Sequence, residues 1–418
     1  MSVQALPETL SLWWLGQPHA PQRVGTLRLV RRSGMQHGGV ALRYAPEWLT
    51  HGFALSEDLP LREHEFLPTA PDAAAGAVDD ARPDRWGERV IRFLIKPQRL
   101  STLDHLYFAG DDRFGALSVS LSDVAYQPYR HGVLPQLNEV QQVHDLIRQV
   151  ERGEPVPPEM LRFVAPGATL GGAKPKALLS MEGASWILKF AESGEAWDSG
   201  MVEHACMRLA QAAGIEVCET RAMAYQQLGR TRHAVVVRRF DREGDGRCHA
   251  LSAHVALRAA GVAYSYAEMA LWLRRCGDAT RIQHSGEQVF RRMVFNILMD
   301  NTDDHEKNHA FLRVKSAYAL APAFDVLPSG QGLGYQSIEV GRMGAESTLT
   351  NALSEHAAFG LTAQRALQLV SEVAHIASGW QAHFVQVGVS ATDIQTLAQF
   401  IDRPFLKTQR DAALLRGN

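Results

Sequence analysis

The chain has 418 residues, 46% of them hydrophobic and 21% charged, with 43 Lys and Arg against 45 Asp and Glu and a net charge of −2. That is more chain than one compact core usually holds, so two or three domains or lobes of ordinary globular composition are expected. The balanced charge gives no overall drive towards nucleic acid. No run approaches the roughly 18 apolar residues of a membrane span, and the four scattered cysteines contain no CxxC pair that would signal a zinc site or disulfide framework. The N-terminal "MSVQALPETLSLWW" lacks the basic start and apolar run of a signal peptide, so a reducing cytoplasm is the expected location, with no membrane partner.

In chain order, "SLWWLG" and "RVGTLRLV" are apolar runs around a Gly/Pro/His turn and predict a hairpin. "GVALRYAPEWL" predicts a strand and then a turn, and the Pro- and Ala-rich "FLPTAPDAAAGAVDDARPD" a surface connection. "GDDRFGALSVSL" is a loop entering a strand, and the proline-rich Arg152–Met160 is the expected domain boundary. Beyond it, "ALLSM" and "SWILKF" are strands flanking a Glu182-Gly183 turn, with the glycine-containing "TLGGAKPK" ahead of them. "MVEHACMRLAQAAGI" sets Val202, Cys206, Leu209 and Ala213 on one helical face and stops at Gly214. "HAVVVRRFDR" is a short buried strand running into charge.

The second half is mostly helical. Ser285 and Gln288 form a capping-box pattern ahead of Val289, Phe290, Met293, Val294, Ile297 and Leu298 at helical spacing. That helix delivers the polar "NTDDHEKNH". "HAFLRV" and "YALAPAF" then predict a hairpin turning at Lys315-Ser316. "TAQRALQLVSEVAHIASGWQAHF" reads as one amphipathic helix with Thr362 as N-cap, and "SATDIQTLAQFID" as another.

Asp303 and Asn308 are spaced D-x-x-x-x-N, the pair a kinase catalytic loop requires: the Asp orients the attacking hydroxyl and accepts its proton, and the Asn offers magnesium a neutral oxygen. A second acid must hold the metal beyond a short hairpin, and Asp325 in "APAFDVLP" stands there. Lys189 in "WILKF" suits the phosphate-binding lysine, Glu203 on the following helix its acidic partner, "TLGGAKPK" the loop over the phosphates, and "VVVRRFD" the strand that receives adenine. Each part alone has a plainer reading: a strand-end lysine is usually solvated, Glu203 a surface residue, Asp303 or Asp241 a turn residue, and GG-x-x-x-K is not the P-loop pattern. The order of the parts along the chain is the stronger signal. "DDHEKNH" also looks like a metal cluster, but it contains no HExxH, and its turn-like composition argues against helical spacing of His305 and His309. His305 is expected to brace the loop, and Asp300, Asp304 and Glu306 to be capping or solvated residues.

These segments resemble the HipA family of serine/threonine protein kinases, toxins of bacterial toxin–antitoxin systems, over nearly the whole chain. "GGAKPKALL" is similar to the family's phosphate loop, "VEHACMRLAQAAGI" to its acidic helix, "VVVRRFDR" to its hinge, "NTDDHEKNHAFL" to its catalytic loop and "LAPAFDVLPS" to its metal-binding segment. "GVALRYAPEWL", "ALSEDLPL" and "GDDRFGALSV" resemble its N-terminal subdomain. The resemblance implies a bilobal, protein-kinase-like α+β fold: an N-terminal α/β subdomain (1–155), a kinase N-lobe (156–240) and a helical C-lobe (241–418). It implies ATP and Mg2+ as cofactors, Asp303 as catalytic base and Asn308 and Asp325 as metal ligands. Around ATP it places Gly171, Gly172, Ala173, Lys174, Lys176, Lys189, Glu203, His305 and Lys307, with Arg238, Arg239 and Phe240 as the hinge and Asp241 near the ribose. Thr169 stands where the family autophosphorylates; a phosphate of about −1.5 to −2 charges there would repel those of ATP.

Arg238 replaces a usual Glu, Lys174 a Gln, Phe324 a Tyr and Val202 an Asn, and none of these removes a required function. The implied partners are a protein substrate, such as an aminoacyl-tRNA synthetase or another translation component, and a small HipB-like helix-turn-helix antitoxin through which DNA is met only indirectly. A kinase with a lipid or small-molecule acceptor, and a non-catalytic corepressor subunit bound to such an antitoxin, are the alternatives.

Overall fold

The structure is a computed structural model that describes residues 6–31, 38–157, 160, 163, 174–192 and 194–415. The fold is α+β, and the chain divides into two compact units, Met1–Phe190 with Arg238–Ala260 and Ala191–Val237 with Gly261–Asn418. The proline-rich break at Arg152–Met160 therefore falls inside the first unit.

In the first unit, β1 (Thr9–Trp14), β2 (Gln22–Val30), β3 (Gly39–Tyr44), β4 (Glu65–Phe66) and β5 (Leu117–Ser120) form an antiparallel sheet in the order β4-β3-β2-β1-β5. The expected β1–β2 hairpin is present, with Leu10, Leu12, Leu27 and Leu29 all buried. After β3 the chain makes a short helix, Pro46–His51, rather than a simple turn: proline at its start lacks an N–H that would have no partner there anyway. The Ala-rich connection is not on the surface. Ala73 to Ala75, Ala77, Val78 and Ala81 are all buried, because small side chains let the 3-10 helix Gly76–Ala81 pack closely. Its acids are bound within the unit, Asp79 by Arg82 and Arg258 and Asp80 by Ser252. The strands β6 (Lys176–Met181) and β7 (Ala184–Lys189) pair as expected. Glu182 and Gly183 both take positive φ, +54° and +72°, as the tight hairpin turn requires.

The second unit opens with the helix Ser199–Ala212, which buries Val202, Cys206 and Leu209; Ala213 is buried just beyond it, and Gly214 at φ +78° ends it. A strand that the sequence pattern did not reveal, β8 (Thr220–Gln227), pairs antiparallel with β9 (Arg230–Arg238). The helix Ile282–Leu298 begins three residues ahead of the expected capping box, with Ser285 buried inside it. Gln288 holds another segment instead, accepting the Glu216 N–H and donating to the Gly214 carbonyl, both at 2.8 Å. The hairpin Ala310–Val314 with Ala317–Leu320 follows, and Trp272 of the helix Tyr266–Cys276 stacks on Phe311 at 4.4 Å. Thr362 is the N-cap expected, accepting from the Arg365 N–H, but the single helix predicted there is two, Ala363–Ser378 and Trp380–Val387, divided at Gly379. The helices Ala391–Ile401 and Pro404–Leu415 complete the unit. Among the described residues, no helix is long and apolar enough to cross a membrane.

Candidate active site

The helix Ile282–Leu298 is a rigid support for the loop after it: Val289, Phe290, Met293, Val294, Ile297 and Leu298 are wholly buried. Asp300 then turns the chain at φ +55°. Its carboxylate is not solvated as expected; it is buried, 3.1 Å from Arg403, and accepts the Gly332 N–H, while burial pushes its pKa up. The Thr302 and Ser329 hydroxyls share a hydrogen bond of 2.6 Å, and the Ser329 N–H donates to the Asp300 carbonyl at 2.9 Å. The loop backbone is thereby fixed from two sides.

Within the loop, neighbouring acids have opposite environments. Asp303 is exposed, whereas Asp304 is 2% exposed, again contrary to the expectation that it is solvated. Asp304 accepts hydrogen bonds from the Tyr266 hydroxyl and from His309 Nε2 at 2.8 Å. Burial works against its charge, but His309 and Tyr266 outweigh it and hold the carboxyl below its usual range. The chain of bonds continues inwards, from Asn296 Nδ2 to the Tyr266 hydroxyl at 3.3 Å and from Asn301 Nδ2 to Asn296 Oδ1 at 3.0 Å. His305 braces the loop only locally, accepting the Lys307 N–H at 3.2 Å at the start of the turn Glu306–Asn308. The deep brace is His309. Sequence reasoning did not single out Tyr266, Asn296 or Arg292. Their helices carry several other polar residues, so the pattern does not mark these three.

Asn308 is 5% exposed, and its Oδ1 has no hydrogen-bond partner among the described residues. A buried, unpaired carbonyl oxygen is costly unless something takes its lone pairs, which a hard cation would do. The hairpin returns the chain alongside it: Phe311 pairs with Leu320, and the Ala321 N–H donates to the Ala310 carbonyl at 2.9 Å. Asn308 thus lines the same small cavity as Phe324 and Val326, the residues flanking Asp325. Asp325 has φ +60°, and its segment is pinned by Ala323, whose N–H donates to the Glu216 carbonyl at 2.8 Å and whose carbonyl accepts the Cys218 N–H at 2.9 Å. Among the described residues no group of three or more His, Cys, Asp or Glu side chains gathers as a metal site. One Asn and one Asp still suit magnesium, which keeps waters and phosphate oxygens as its other ligands.

The remaining expected residues fall in both units. Lys189 is half-buried at the end of β7, and Glu203 is buried on the helix Ser199–Ala212. Lys174 is half-buried and Lys307 exposed. Thr169, Gly171, Gly172 and Ala173 lie outside the described residues. Lys176, expected over the phosphates, is instead 6% exposed and ion-paired with Asp84 at 2.7 Å, because β6 runs beside the helix Arg85–Val90 that Asp84 caps.

The hinge stretch is corrected in part. Asp241, expected near a ribose, is 3% exposed and accepts from Arg239 at 2.9 and 2.8 Å, from Arg242 at 3.0 Å and from the Gly115 N–H at 2.8 Å. Burial opposes its charge, yet the two guanidinium groups drive its pKa well below the carboxylate range. It holds the loop before β5. The Arg239 N–H is committed to the Ser185 carbonyl at 3.0 Å, and the Phe240 ring meets Phe114 edge-on. Arg238 is exposed.

An exposed acid, a buried amide oxygen unpaired among the described residues and a second acid behind a hairpin thus stand together on an α+β fold. The chain belongs to the HipA family: its residues 168–380 match the HipA-like C-terminal domain and residues 20–120 the HipA N-terminal domain. Its fold is similar to that of HipA from Shewanella oneidensis MR-1, solved with HipB and operator DNA, with a TM-score of 0.64 and 17% identity over 98% of this chain and 96% of that one. The proinflammatory kinase CtkA of Helicobacter pylori has a TM-score of 0.40 and 14% identity over 59% of this chain and 92% of that one. No curated protein matches the sequence.

Proposed function

We propose that this protein is an ATP- and Mg2+-dependent serine/threonine protein kinase of the HipA toxin type, acting in the cytoplasm and neutralised by a small HipB-like antitoxin. The observation that carries this reading is the contrast within one loop, between exposed Asp303 and buried Asn308 with its unpaired Oδ1. Bound with Mg2+, ATP would supply the γ-phosphoryl group. Asp303 orients the acceptor hydroxyl and takes its proton. Asn308 and Asp325 would hold the cation with hard oxygens, and the buried Asn301–Asn296–Tyr266–Asp304–His309 chain keeps the loop in shape between turnovers. Lys189 and Lys174 serve the phosphates together with Gly171, Gly172 and Ala173, Glu203 orients Lys189, and the backbone of Arg238 and Phe240 meets adenine.

The acceptor is a protein Ser or Thr, with a translation component such as an aminoacyl-tRNA synthetase as the family-based choice. The Shewanella HipA was solved with HipB and DNA, which supports an antitoxin of that kind as partner; the net charge of −2 agrees with DNA being reached only through it. Thr169 is proposed as the autophosphorylation site.

The test is incubation of the protein and its Asp303→Asn variant with labelled ATP, Mg2+ and cell extract. Label on a protein band with the wild type alone supports the reading. Label on a lipid or metabolite, or none above the variant, overturns it. Mass spectrometry of the protein incubated with ATP finds phosphate at Thr169 if that assignment holds, and only elsewhere if it fails.

A further inference from the structure

Arg292 sits in the middle of the buried helix Ile282–Leu298, 3% exposed. A guanidinium carries five N–H groups, and burial disfavours its charge: its pKa falls to about 10, so the group is still a cation at neutral pH. One nitrogen, Nη2, donates to the Ala321 carbonyl at 2.6 Å, the residue whose N–H closes the hairpin on Ala310. The other two, Nε and Nη1, have no partner among the described residues.

Two further buried atoms are in the same condition, Asn308 Oδ1 and His309 Nδ1. His309 Nε2 lies 2.8 Å from the Asp304 carboxylate, and its other ring nitrogen, Nδ1, is the one without a partner. Arg292, Asn308 and His309 all line one cavity of about 10 Å³, together with Asn296, Asp304 and apolar groups such as Phe295 and Phe324. Two guanidinium N–H groups, an amide oxygen and a ring nitrogen without partners, round a space the size of one water, suit a molecule that both donates and accepts. A larger anion would not fit the volume, and an apolar occupant would leave all four atoms unsatisfied.

We infer that one internal water bridges Arg292 to Asn308 and His309, and that Arg292 is a positioning residue which, through this water and the Ala321 carbonyl, sets the orientation of the Asn308 amide and the approach of the Asp325 segment. This rests on the reading of Asn308 as a metal ligand. The water takes one lone pair of Oδ1 and leaves the other for the cation. Arg292 itself touches neither cation nor substrate.

The inference is tested on the intact wild-type protein by a crystal structure at about 1.5 Å, which shows one ordered water in this cavity; a dry cavity overturns the proposal. Mn2+ binding in the presence of a non-hydrolysable ATP analogue, followed by electron paramagnetic resonance, is then compared for the wild type, Arg292→Lys and Arg292→Met. Residues that orient a ligand typically change metal affinity by about 10–100-fold, so the Met variant weakens binding by about tenfold or more and the Lys variant by less. Circular dichroism checks that each variant is folded, and wild-type Mn2+ affinity in a folded Met variant overturns the proposal. Should the Met variant misfold, the Lys variant and the wild-type density decide. A wild type that holds the water and binds Mn2+ with the nucleotide, yet transfers no phosphate, sinks the kinase reading and upholds the inference.

Discussion

Replacing Tyr266 with Phe removes a single oxygen from the centre of the buried polar chain. Its hydroxyl donates to Asp304 and accepts from Asn296 Nδ2, and the ring is wholly buried against His309, edge-on at 5.7 Å. The packing is kept, so the cost is that of the hydrogen bonds alone. A bond to a charged acceptor contributes about 1.5–3 kcal/mol and a neutral one about 0.5–1.5 kcal/mol, and neither stranded partner can reach bulk water. The loss should therefore be about 2–4 kcal/mol, measured by urea denaturation of the variant against the wild type. The sign with pH follows from Asp304. Its folded pKa lies below the ordinary value, so its stabilisation is complete above about pH 4 and fades as pH falls through the folded value. The deficit of the Phe variant should accordingly be constant from pH 8 to 5. A loss under 0.5 kcal/mol, or one that varies across that window, would refute the reasoning.

Asp241→Asn should destabilise the first unit by about 3–5 kcal/mol, because it leaves Arg239 and Arg242 with a neutral partner in a buried site; chemical denaturation measures it. The depressed pKa of Asp241 means that its contribution is held down to about pH 4 and lost only below that. Asp80 has the opposite sign. It is half-buried against Ser252, and desolvation lifts its pKa to about 6, so the fold gains from protonation and loses stability as pH rises from about 4 to 6, then levels off. Asp80→Asn should flatten that slope and add up to about 2–3 kcal/mol at pH 8, read from melts across the same range.

What the sequence made legible was local. The Glu182-Gly183 turn and the hairpin at Lys315-Ser316 depend on neighbours along the chain, and both stand where expected. What stayed hidden depends on partners far apart. Tyr266 lies 38 positions before Asp304, and Gly115 lies 126 before Asp241, so neither burial of those acids could be read from the acids' own surroundings. Periodicity shows that a helix has a buried face, but not that a cation such as Arg292 will share it, since that turns on a cavity assembled from separate segments. The Ser285/Gln288 motif misled for a related reason: Gln288 is drawn to Gly214 and Glu216, and packing carries the helix back to Ile282. The amphipathic pattern of the late segment runs on across Gly379, where the structure divides it into two helices.

The central claim is that Asp303, backed by Asn308 and Asp325, drives phosphoryl transfer. Its most direct measurement is the rate of ADP formation from ATP by purified wild type and Asp303→Asn, with Mg2+ present and then removed by chelation. Loss of a general base typically costs about 10²–10⁴-fold, so the account predicts a fall of that size in the variant and no activity for either protein without the cation. Equal rates for wild type and variant, or a rate indifferent to Mg2+, would contradict it.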